Sequence, residues 1–260
     1  WWERMLLRAA YSNARHIFLR DEKSINLAKS IGLPLEKVSY CPDLALGLTP
    51  TDPTIALETL QEAGVDLARP KLGVTVISKM NRSFDSQKME NYYSAIEVAL
   101  GIFYRKHSAQ IIFFDQVGGP TPVENDSIPT ERITKRLQDA GIEAIHIKKL
   151  LPPALIKACY AQMDAFLATR LHSGIYAIGM TVPTLFIGYL SKTQGIVRSL
   201  KIEDDFIDLS DLNVTMLTAK LEELWVNCDE KHTRLTKTIR ESQLLQVNYI
   251  KLLQQDLSNG

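Results

Sequence analysis

The sequence lacks several features that would each place it in a large class of proteins. Its 30 Lys and Arg residues balance 30 Asp and Glu residues, so there is no general basic surface for nucleic acid or an anionic membrane. Its longest apolar runs, such as residues 110–114, are far shorter than the roughly 20 residues that span a bilayer. A signal-peptide pattern is also absent. We therefore expect a cytoplasmic protein without a nucleic-acid partner or a transmembrane segment, for which peripheral contact with a membrane stays open.

Metal and cofactor motifs are missing as well. Cys41, Cys159 and Cys228 stand far apart and form no CxxC pair, which is typical of reduced thiols in a cytosolic protein. The histidines outside the motif described below have no carboxylate or histidine partner at metal-ligand spacing. The patterns GxGxxG, GxxxxGK[ST] and GxSxG do not occur, which argues against a dinucleotide fingerprint, a P-loop and a hydrolase nucleophile elbow. We expect no metal ion and no cofactor.

Alternating strand-like and helix-like segments fill most of the chain. This alternation predicts an α/β fold with a mostly parallel sheet and helices on both faces. Helix-like segments of ten or so residues separate the strands, and two further helices are predicted after the last one. The predicted strands are residues 15–19, 37–40, 72–78, 111–115, 143–147, 165–169, 183–188 and 206–209.

The segments group into two Rossmann-like units. The chain opens inside an amphipathic helix without an initiator Met, so we expect residues 1–48 to be the C-terminal part of a truncated N-terminal domain. A proline-rich stretch makes 49–66 a linker. Residues 67–210 then form a C-terminal Rossmann-like domain. The final helices, 211–260, have an apolar stripe and are expected to pack back on the first domain.

The strongest functional signal is a strand that runs directly into Thr169–Gly174 and a tight apolar helix. In open α/β sheets ligands bind beyond the carboxyl ends of strands, where helix N-termini attract anions. Arg170 and His172 lie at such a helix start, which favours a phosphorylated or otherwise anionic ligand. Small residues from Ser173 to Gly179 let the helix sit close to the sheet. The alternative is that Arg170 pairs with a surface carboxylate and His172 is a satisfied helix-start residue.

Two more basic residues and one acid occupy equivalent positions after other strands. Lys192 follows the next strand, where a solvated loop lysine is the alternative. Arg20 ends the first strand, before a helix with Ser24 as its predicted N-cap, and a salt bridge from Arg20 to Asp21 or Glu22 is the alternative there. Asp43 either orients its loop or binds a ligand hydroxyl. The remaining junctions to examine are Ser78–Arg82, Asp115–Gly119 and Tyr189–Thr193.

Together these elements resemble the polysaccharide pyruvyl transferase family over about residues 15–210. The resemblance is carried by short motifs at fixed spacing. They are Arg20-Asp21-Glu22-Lys23-Ser24, the helix end from Leu27 to Gly32, the Pro-Asp-x-Ala-Leu segment from Pro42 to Leu46, the Arg170, His172 and Ser173 element, and the run containing Gly179, Pro183, Ile187, Tyr189 and Lys192.

The resemblance implies a GT-B-like pair of Rossmann-like domains that face each other across a cleft. It implies phosphoenolpyruvate as donor and a sugar or lipid-linked oligosaccharide of a cell-surface or exopolysaccharide as acceptor, with no metal or nucleotide cofactor. His172 would be the catalytic residue, and Arg20, Arg170, Lys192 and Ser173 would bind the donor. The family normally has a longer N-terminal domain.

The residue types suit the chemistry of that reaction. Making a ketal from phosphoenolpyruvate requires protonation of the methylene carbon, attack by a sugar hydroxyl and departure of phosphate. The donor carries a carboxylate and a phosphate, which call for two or more cations: Arg binds anions bidentately and Lys acts as a point charge. A histidine is the natural residue to give and take a proton near neutral pH.

Two other functions remain open at the level of sequence. A GT-B glycosyltransferase that uses a nucleotide sugar would need carboxylates for the donor ribose, and Glu203-Asp204-Asp205 is a distant candidate. A non-catalytic binding domain of the same fold is the second alternative. Retention of His172 and the basic residues argues against it.

Overall fold

The computed structural model describes residues 1–78, 86–189 and 191–258, and in them strands alternate with helices. The strands are β1 (Ile17–Leu19), β2 (Val38–Tyr40), β3 (Lys71–Thr75), β4 (Gln110–Phe114), β5 (Ala144–Ile147), β6 (Ala165–Ala168), β7 (Thr184–Gly188) and β8 (Phe206–Asp208). The helices are α1 (Trp2–Ser12), α2 (Glu22–Ser30), α3 (Pro53–Glu62), α4 (Ser86–His107), α5 (Ser127–Asp139), α6 (Pro153–Tyr160), α7 (Leu171–Gly179), α8 (Ser191–Ser199), α9 (Val214–Val226) and α10 (Cys228–Ser258). Each predicted strand is present.

The strands form two parallel sheets, which confirms the predicted α/β class. β1 pairs with β2, and the other six strands form one sheet in the order β5-β4-β3-β6-β7-β8. Every residue of β3, β4 and β7 is buried, as expected for parallel strands covered by helices on both faces. Among the described residues, every helix is too short or too polar to span a lipid bilayer.

The strand order places a switch point between β3 and β6. From β3 the chain moves outward to β4 and β5, then returns to β6 on the other side of β3 and continues to β7 and β8. Crossover loops on the two sides of such a point leave in opposite directions and open a crevice at the carboxyl edge of the sheet. The segments that follow β3 and β6 therefore frame the expected ligand position.

Two apolar cores lie on opposite faces of the large sheet. On one face α4 and α9 pack against each other and on the sheet, through residues such as Leu100 and Leu221. On the other face α7 lies close to the sheet. A Cβ atom on Gly174 would come within 2.0 Å of Cε1 of Phe186, so only glycine fits at this position. The prediction that small residues permit this close approach is confirmed.

The last two helices divide their contacts between the two units. Helix α9 covers the large sheet rather than the first unit, which differs from the expectation for residues 211–260 and follows from the fit of its apolar face to α4. Helix α10 begins on the large unit, where Ile239 joins the core. Its second half reaches the first unit: the ring of Tyr249 lies 4.6 Å from that of Phe18, and Nε2 of Gln246 donates to the carbonyl oxygen of Asp43 at 2.7 Å.

A buried lysine fixes the first unit against the large one. Lys157 of α6 is 1% exposed, and its Nζ donates to the carbonyl oxygens of Ala45 and Leu46 at 3.2 and 2.7 Å. Both acceptors belong to the 3-10 turn Leu44–Gly47, which follows β2. Burial lowers the pKa of the Lys157 ammonium group to about 8, because the charged form loses its hydration.

This lysine makes stability depend on pH in a defined direction. Between pH 8 and about 10.5 the unfolded chain holds a proton on Lys157 that the folded chain has released, so its contribution to the free energy of unfolding rises with pH across that window, by about 3 kcal/mol. We expect Lys157→Met to abolish this contribution. Urea unfolding of both proteins from pH 7.5 to 10.5 measures it, and the difference between the two curves cancels other titrating groups. Parallel curves would contradict the assignment.

Candidate active site

A cavity of about 530 Å³ lies at the carboxyl edge of the large sheet. We call it the sheet-edge cavity. Its volume falls in the range of about 300–1,000 Å³ that is usual for small-molecule sites. Its walls come from the segments after β4, β5, β6 and β7, and are formed by Asp115, Gln116, Val117, Leu150, Leu151, Pro153, Ile156, Arg170, Leu171, His172, Tyr176, Tyr189, Lys192 and Thr193. Predicted site residues Arg170, His172 and Lys192 are therefore brought together.

Arg170 stands at the N-cap of α7 and is held by a buried carboxylate. Its Nε and Nη2 donate to the two carboxylate oxygens of Asp126 at 2.9 and 2.5 Å. Asp126 is fully buried and also accepts the backbone N–H groups of Ser78 and Val117. The carboxylate pair that was the alternative for Arg170 is thus present, but it is internal rather than on the surface. It ties together the segments that follow β3, β4 and β6.

Asp126 could not be recognised from the sequence. It precedes α5 as an ordinary helix-start residue and lies 44 positions from Arg170. Only the sheet topology brings the two together. Because a guanidinium group has five N–H donors and Asp126 takes two of them among the described residues, Arg170 retains an edge for a ligand in the cavity that it lines.

His172 lies in the first turn of α7 and is exposed to the sheet-edge cavity. Its ring centroid is 6.4 Å from that of Tyr176, one helical turn further on. The placement suits a proton-transfer group, because the imidazole sits beside the free backbone N–H groups of the helix start and is open to a ligand.

Ser173 does not reach the cavity, and its predicted contact with the donor is wrong. The residue is fully buried. Its Oγ donates to the carbonyl oxygen of Arg170 at 2.7 Å and shares a second hydrogen bond of 2.7 Å with Oγ1 of Thr75. Ser173 therefore joins the start of α7 to the end of β3 at the switch point and positions Arg170 and His172 indirectly.

Lys192 connects the sheet-edge cavity with a second one. This N-terminal cavity, of about 630 Å³, lies beside the carboxyl ends of β1 and β2 and contains Arg20, Asp43 and Tyr249 in its wall. The exposed side chain of Lys192, in the first turn of α8, lines both cavities. Arg20 and Lys192 thus line one cavity, although Arg20 is not in the wall of the cavity that holds His172.

Arg20 has a different partner from the two that were expected. Its Nη1 binds Oδ2 of Asp43, while Asp21 caps α2 by accepting the backbone N–H of Ser24 at 2.8 Å. The predicted N-cap, Ser24, is wrong for that reason: Asp21 occupies the position. Asp43 orients its own loop by accepting the N–H of Ala45 at 3.1 Å.

Tyr176 lines the sheet-edge cavity, and Asp43 lines the N-terminal cavity. Burial, and secondarily the charge of Asp43, raises the pKa of the Tyr176 hydroxyl. The proximity of these two residues links Arg20, which binds Asp43, to His172, which lies beside Tyr176 on α7. The two cavities are therefore neighbours, and Lys192 lines both of them.

A buried acid–histidine pair forms the opposite end of the sheet-edge cavity. Asp115 follows β4, and its Oδ1 lies 2.9 Å from Nε2 of His146 on β5, with both side chains at most 3% exposed. Next to it, Nε2 of Gln116 donates to the hydroxyl of Tyr160 at 2.5 Å. Sequence reasoning marked the junction after β4 but missed this pair, because strand pairing joins residues 31 positions apart.

Parts of the expected site lie outside the described residues. Of the junction Ser78–Arg82, only Ser78 is described, and Leu190 of the junction Tyr189–Thr193 is likewise outside. In residues 1–78, 86–189 and 191–258, no group of three His, Cys, Asp or Glu side chains is arranged to hold a metal ion.

Solved structures with a similar fold are glycosyltransferase-type enzymes. Sucrose-phosphate synthase from Thermosynechococcus elongatus matches 99% of this chain with 11% identity and a TM-score of 0.57, over 62% of its own length. Anabaena HepE in complex with UDP-glucose matches 99% with 12% identity and a TM-score of 0.57, over 67% of its length. A Rickettsia africae glycosyltransferase matches 98% with 10% identity and a TM-score of 0.58, over 68% of its length.

These likenesses establish a GT-B-like fold, and the chain spans about two thirds of the length of those proteins. No curated protein sequence matches the chain. The model of the family described as polysaccharide pyruvyl transferase matches residues 1–191, which is well over half of the 260 residues. The chain therefore belongs to the polysaccharide pyruvyl transferase family.

Proposed function

We propose that this chain carries the donor-binding part of a cytoplasmic pyruvyl transferase, which moves a pyruvyl group from phosphoenolpyruvate to hydroxyls of a cell-surface or exopolysaccharide sugar. The observation that supports this most directly is the sheet-edge cavity, where Arg170, His172 and Lys192 meet at the starts of two helices. The acceptor in this proposal is a sugar or a lipid-linked oligosaccharide, and a lipid-linked acceptor would bring the protein into peripheral contact with a membrane.

The cations of the cavity suit the charges of the donor. Phosphoenolpyruvate carries a phosphate and a carboxylate. In the proposal Lys192 binds the phosphate as a point charge, and Arg170 binds the carboxylate with the guanidinium edge that Asp126 leaves open. The backbone N–H groups at the start of α7 add a positive end to the same wall. Arg20 approaches from the N-terminal cavity, on the other side of Lys192.

His172 supplies the proton that starts the reaction. Its transfer to the methylene carbon gives a methyl group and an oxocarbenium-like carbon, which the oxygen of a first sugar hydroxyl attacks. Phosphate leaves as a second hydroxyl of the same sugar adds, which closes the ketal. One hydroxyl proton restores His172 and the other leaves with phosphate, so the imidazole ends in the protonation state in which it began.

A nucleotide-sugar donor is less compatible with this chain. Anabaena HepE was solved with UDP-glucose, and that ligand requires partners for its ribose hydroxyls. The candidate carboxylates, Glu203–Asp205, precede β8 and so lie at the amino edge of the sheet, opposite the sheet-edge cavity. Asp205 is also buried and bound by Nζ of Lys231 at 2.5 Å. The position and contacts of these carboxylates therefore favour phosphoenolpyruvate over a nucleotide sugar as the donor.

A thermal-shift comparison tests the proposal on the chain as it is. We expect phosphoenolpyruvate to raise the melting temperature, since a ligand that binds only the folded state at 100 times its dissociation constant adds about 2.7 kcal/mol. UDP and GDP at equal concentration should have no comparable effect. Stabilisation by the nucleotides alone would support glycosyl transfer, and no response to any of the three would support a non-catalytic binding domain.

His172→Gln isolates the proton-transfer step. The variant keeps a polar side chain at an exposed position, so we expect an unchanged melting temperature and unchanged binding of phosphoenolpyruvate, with turnover on the native acceptor reduced by about 10² or more. Phosphate release measures the turnover. His232→Gln is the matched control, because His232 is exposed on α10 and outside both cavities. Near-full activity of His172→Gln would refute the assigned role.

Substitution of the two cations measures how the donor's charge is shared. Lys192→Ala and Arg20→Ala should each weaken binding of phosphoenolpyruvate by about 1.5–3 kcal/mol, the usual cost of a charge-assisted contact. Lys192→Arg should restore only part, because a planar fork does not replace a compact ammonium group. Titration calorimetry gives the affinities, with Lys237→Ala on the exposed face of α10 as control. If Arg20→Ala binds normally, Arg20 serves only to hold Asp43.

A further inference from the structure

The sheet-edge cavity has two ends of opposite character. Arg170, His172 and Lys192 lie over β6 and β7, whereas Asp115 and Gln116 lie over β4. Strand β3 separates β4 from β6, and neighbouring strands are about 4.8 Å apart, so the carboxyl ends of β4 and β6 are roughly 10 Å from each other. The Arg170 side chain bridges part of this distance to bind Asp126, whereas His172 and Lys192 stay on the β6–β7 side. The three-carbon donor of the proposed function occupies only part of a cavity of about 530 Å³. The acidic end therefore remains for another ligand.

The chemistry of the acidic end excludes a second anion. Asp115 lines the cavity and is 3% exposed, so its carboxylate lies where charges interact strongly. A phosphate or carboxylate placed beside it would be repelled. A carboxylate only accepts hydrogen bonds, and a buried one needs donors to offset its lost hydration. Hydroxyl groups of a neutral ligand meet that need.

The carboxylate of Asp115 is held in place by a hydrogen bond to one of its two oxygens. Nε2 of His146 lies 2.9 Å from Oδ1, and in the described part of the chain His146 is the side chain that hydrogen-bonds to Asp115. Nδ1 of His146 is buried without a partner among the described residues, so the imidazole has no other bond and serves Asp115 alone. Beside it, the amide of Gln116 is fixed by the hydroxyl of Tyr160. Oδ2 of Asp115 therefore remains as an acceptor.

An apolar wall completes this end of the cavity. Leu150, Leu151, Pro153 and Ile156, which follow β5 or begin α6, line it next to Asp115. A hexose ring has the matching character, since its hydroxyls radiate outward and its faces present C–H groups. An apolar wall beside a fixed acceptor provides for both.

We propose that Asp115, positioned by His146, and Gln116 form the subsite for the acceptor sugar, with Asp115 accepting hydrogen bonds from its ring hydroxyls. The inference rests on the proposed function, in which the basic end holds phosphoenolpyruvate. A sugar bound over β4 lies beside a donor bound over β6, on the same edge of one sheet. Asp115 thereby determines which sugars are bound, through the positions of hydroxyls that can reach its carboxylate.

Two single substitutions test the subsite, because each should weaken the binding of a different ligand. Binding of methyl glycosides of glucose, galactose and mannose is measured by saturation-transfer NMR, and binding of phosphoenolpyruvate by thermal shift. We expect Asp115→Asn, which keeps the shape of the side chain, to weaken glycoside binding about tenfold and leave phosphoenolpyruvate affinity within about twofold. Lys192→Ala should weaken phosphoenolpyruvate binding by about tenfold or more and leave glycoside binding within about twofold. Melting temperatures of both variants verify that they fold.

A measurement on the unaltered chain keeps the test decisive if Asp115→Asn does not fold. Saturating phosphoenolpyruvate should leave the glycoside signals in place, because the two ligands occupy different ends of the cavity. Competition between them, glycoside binding that Asp115→Asn leaves unchanged, or the absence of glycoside binding by a chain that binds phosphoenolpyruvate would overturn the subsite alone. Glycoside binding that depends on Asp115, without any binding of phosphoenolpyruvate, would overturn the proposed donor instead.

Discussion

The arrangement of the site depends on one buried ion pair, between Asp126 and Arg170. Asp126 binds the guanidinium group through both carboxylate oxygens and also accepts two backbone N–H groups, at Ser78 and Val117. Its charge is therefore compensated from three loops that follow β3, β4 and β6. Since removal of one member of a buried pair leaves an uncompensated charge, at a cost of about 3–5 kcal/mol, these loops are constrained to stay together. The start of α7, and His172 with it, is fixed by the same contacts.

The fold could be predicted from the sequence because its signals are local. Largely apolar segments such as 110–114 and 165–168 can be recognised as buried strands from the sequence alone. Their alternation with helices predicts a parallel sheet. The sheet order was not predicted, and neither was the division of contacts between α9 and α10. Apolar stripes show that a helix is covered but not by which partner, and the fit of α9 to α4 is a property of the assembled core.

The candidate site could be predicted only in part, because only some of its residues carry local sequence signals. Arg170, His172 and Lys192 occupy strand-to-helix junctions, which the sequence reveals directly. Their partners are non-local: Asp126 lies 44 residues from Arg170, and Asp115 pairs with His146 across two strands. The sequence also suggested Asp21, a neighbour in the chain, as a partner of Arg20. Asp21 instead caps α2, and Arg20 forms its ion pair with Asp43. The burial of Ser173 follows from the close approach of α7, which the small residues indicated.

The relative positions of Arg20 and Lys192 are set by packing contacts that involve neither side chain directly. Arg20 is bound to Asp43, and Asp43 caps the turn Leu44–Gly47. That turn is held from the large unit by Lys157, and Gln246 of α10 binds the carbonyl oxygen of Asp43. Lys192 is carried by α8 on β7 of the same large unit. The backbone positions that carry the two cations are therefore fixed in advance, and a ligand bound between them would not spend binding energy on ordering those segments. The buried lysine, although costly to fold, thus contributes to the geometry of the proposed anion site, which it does not touch.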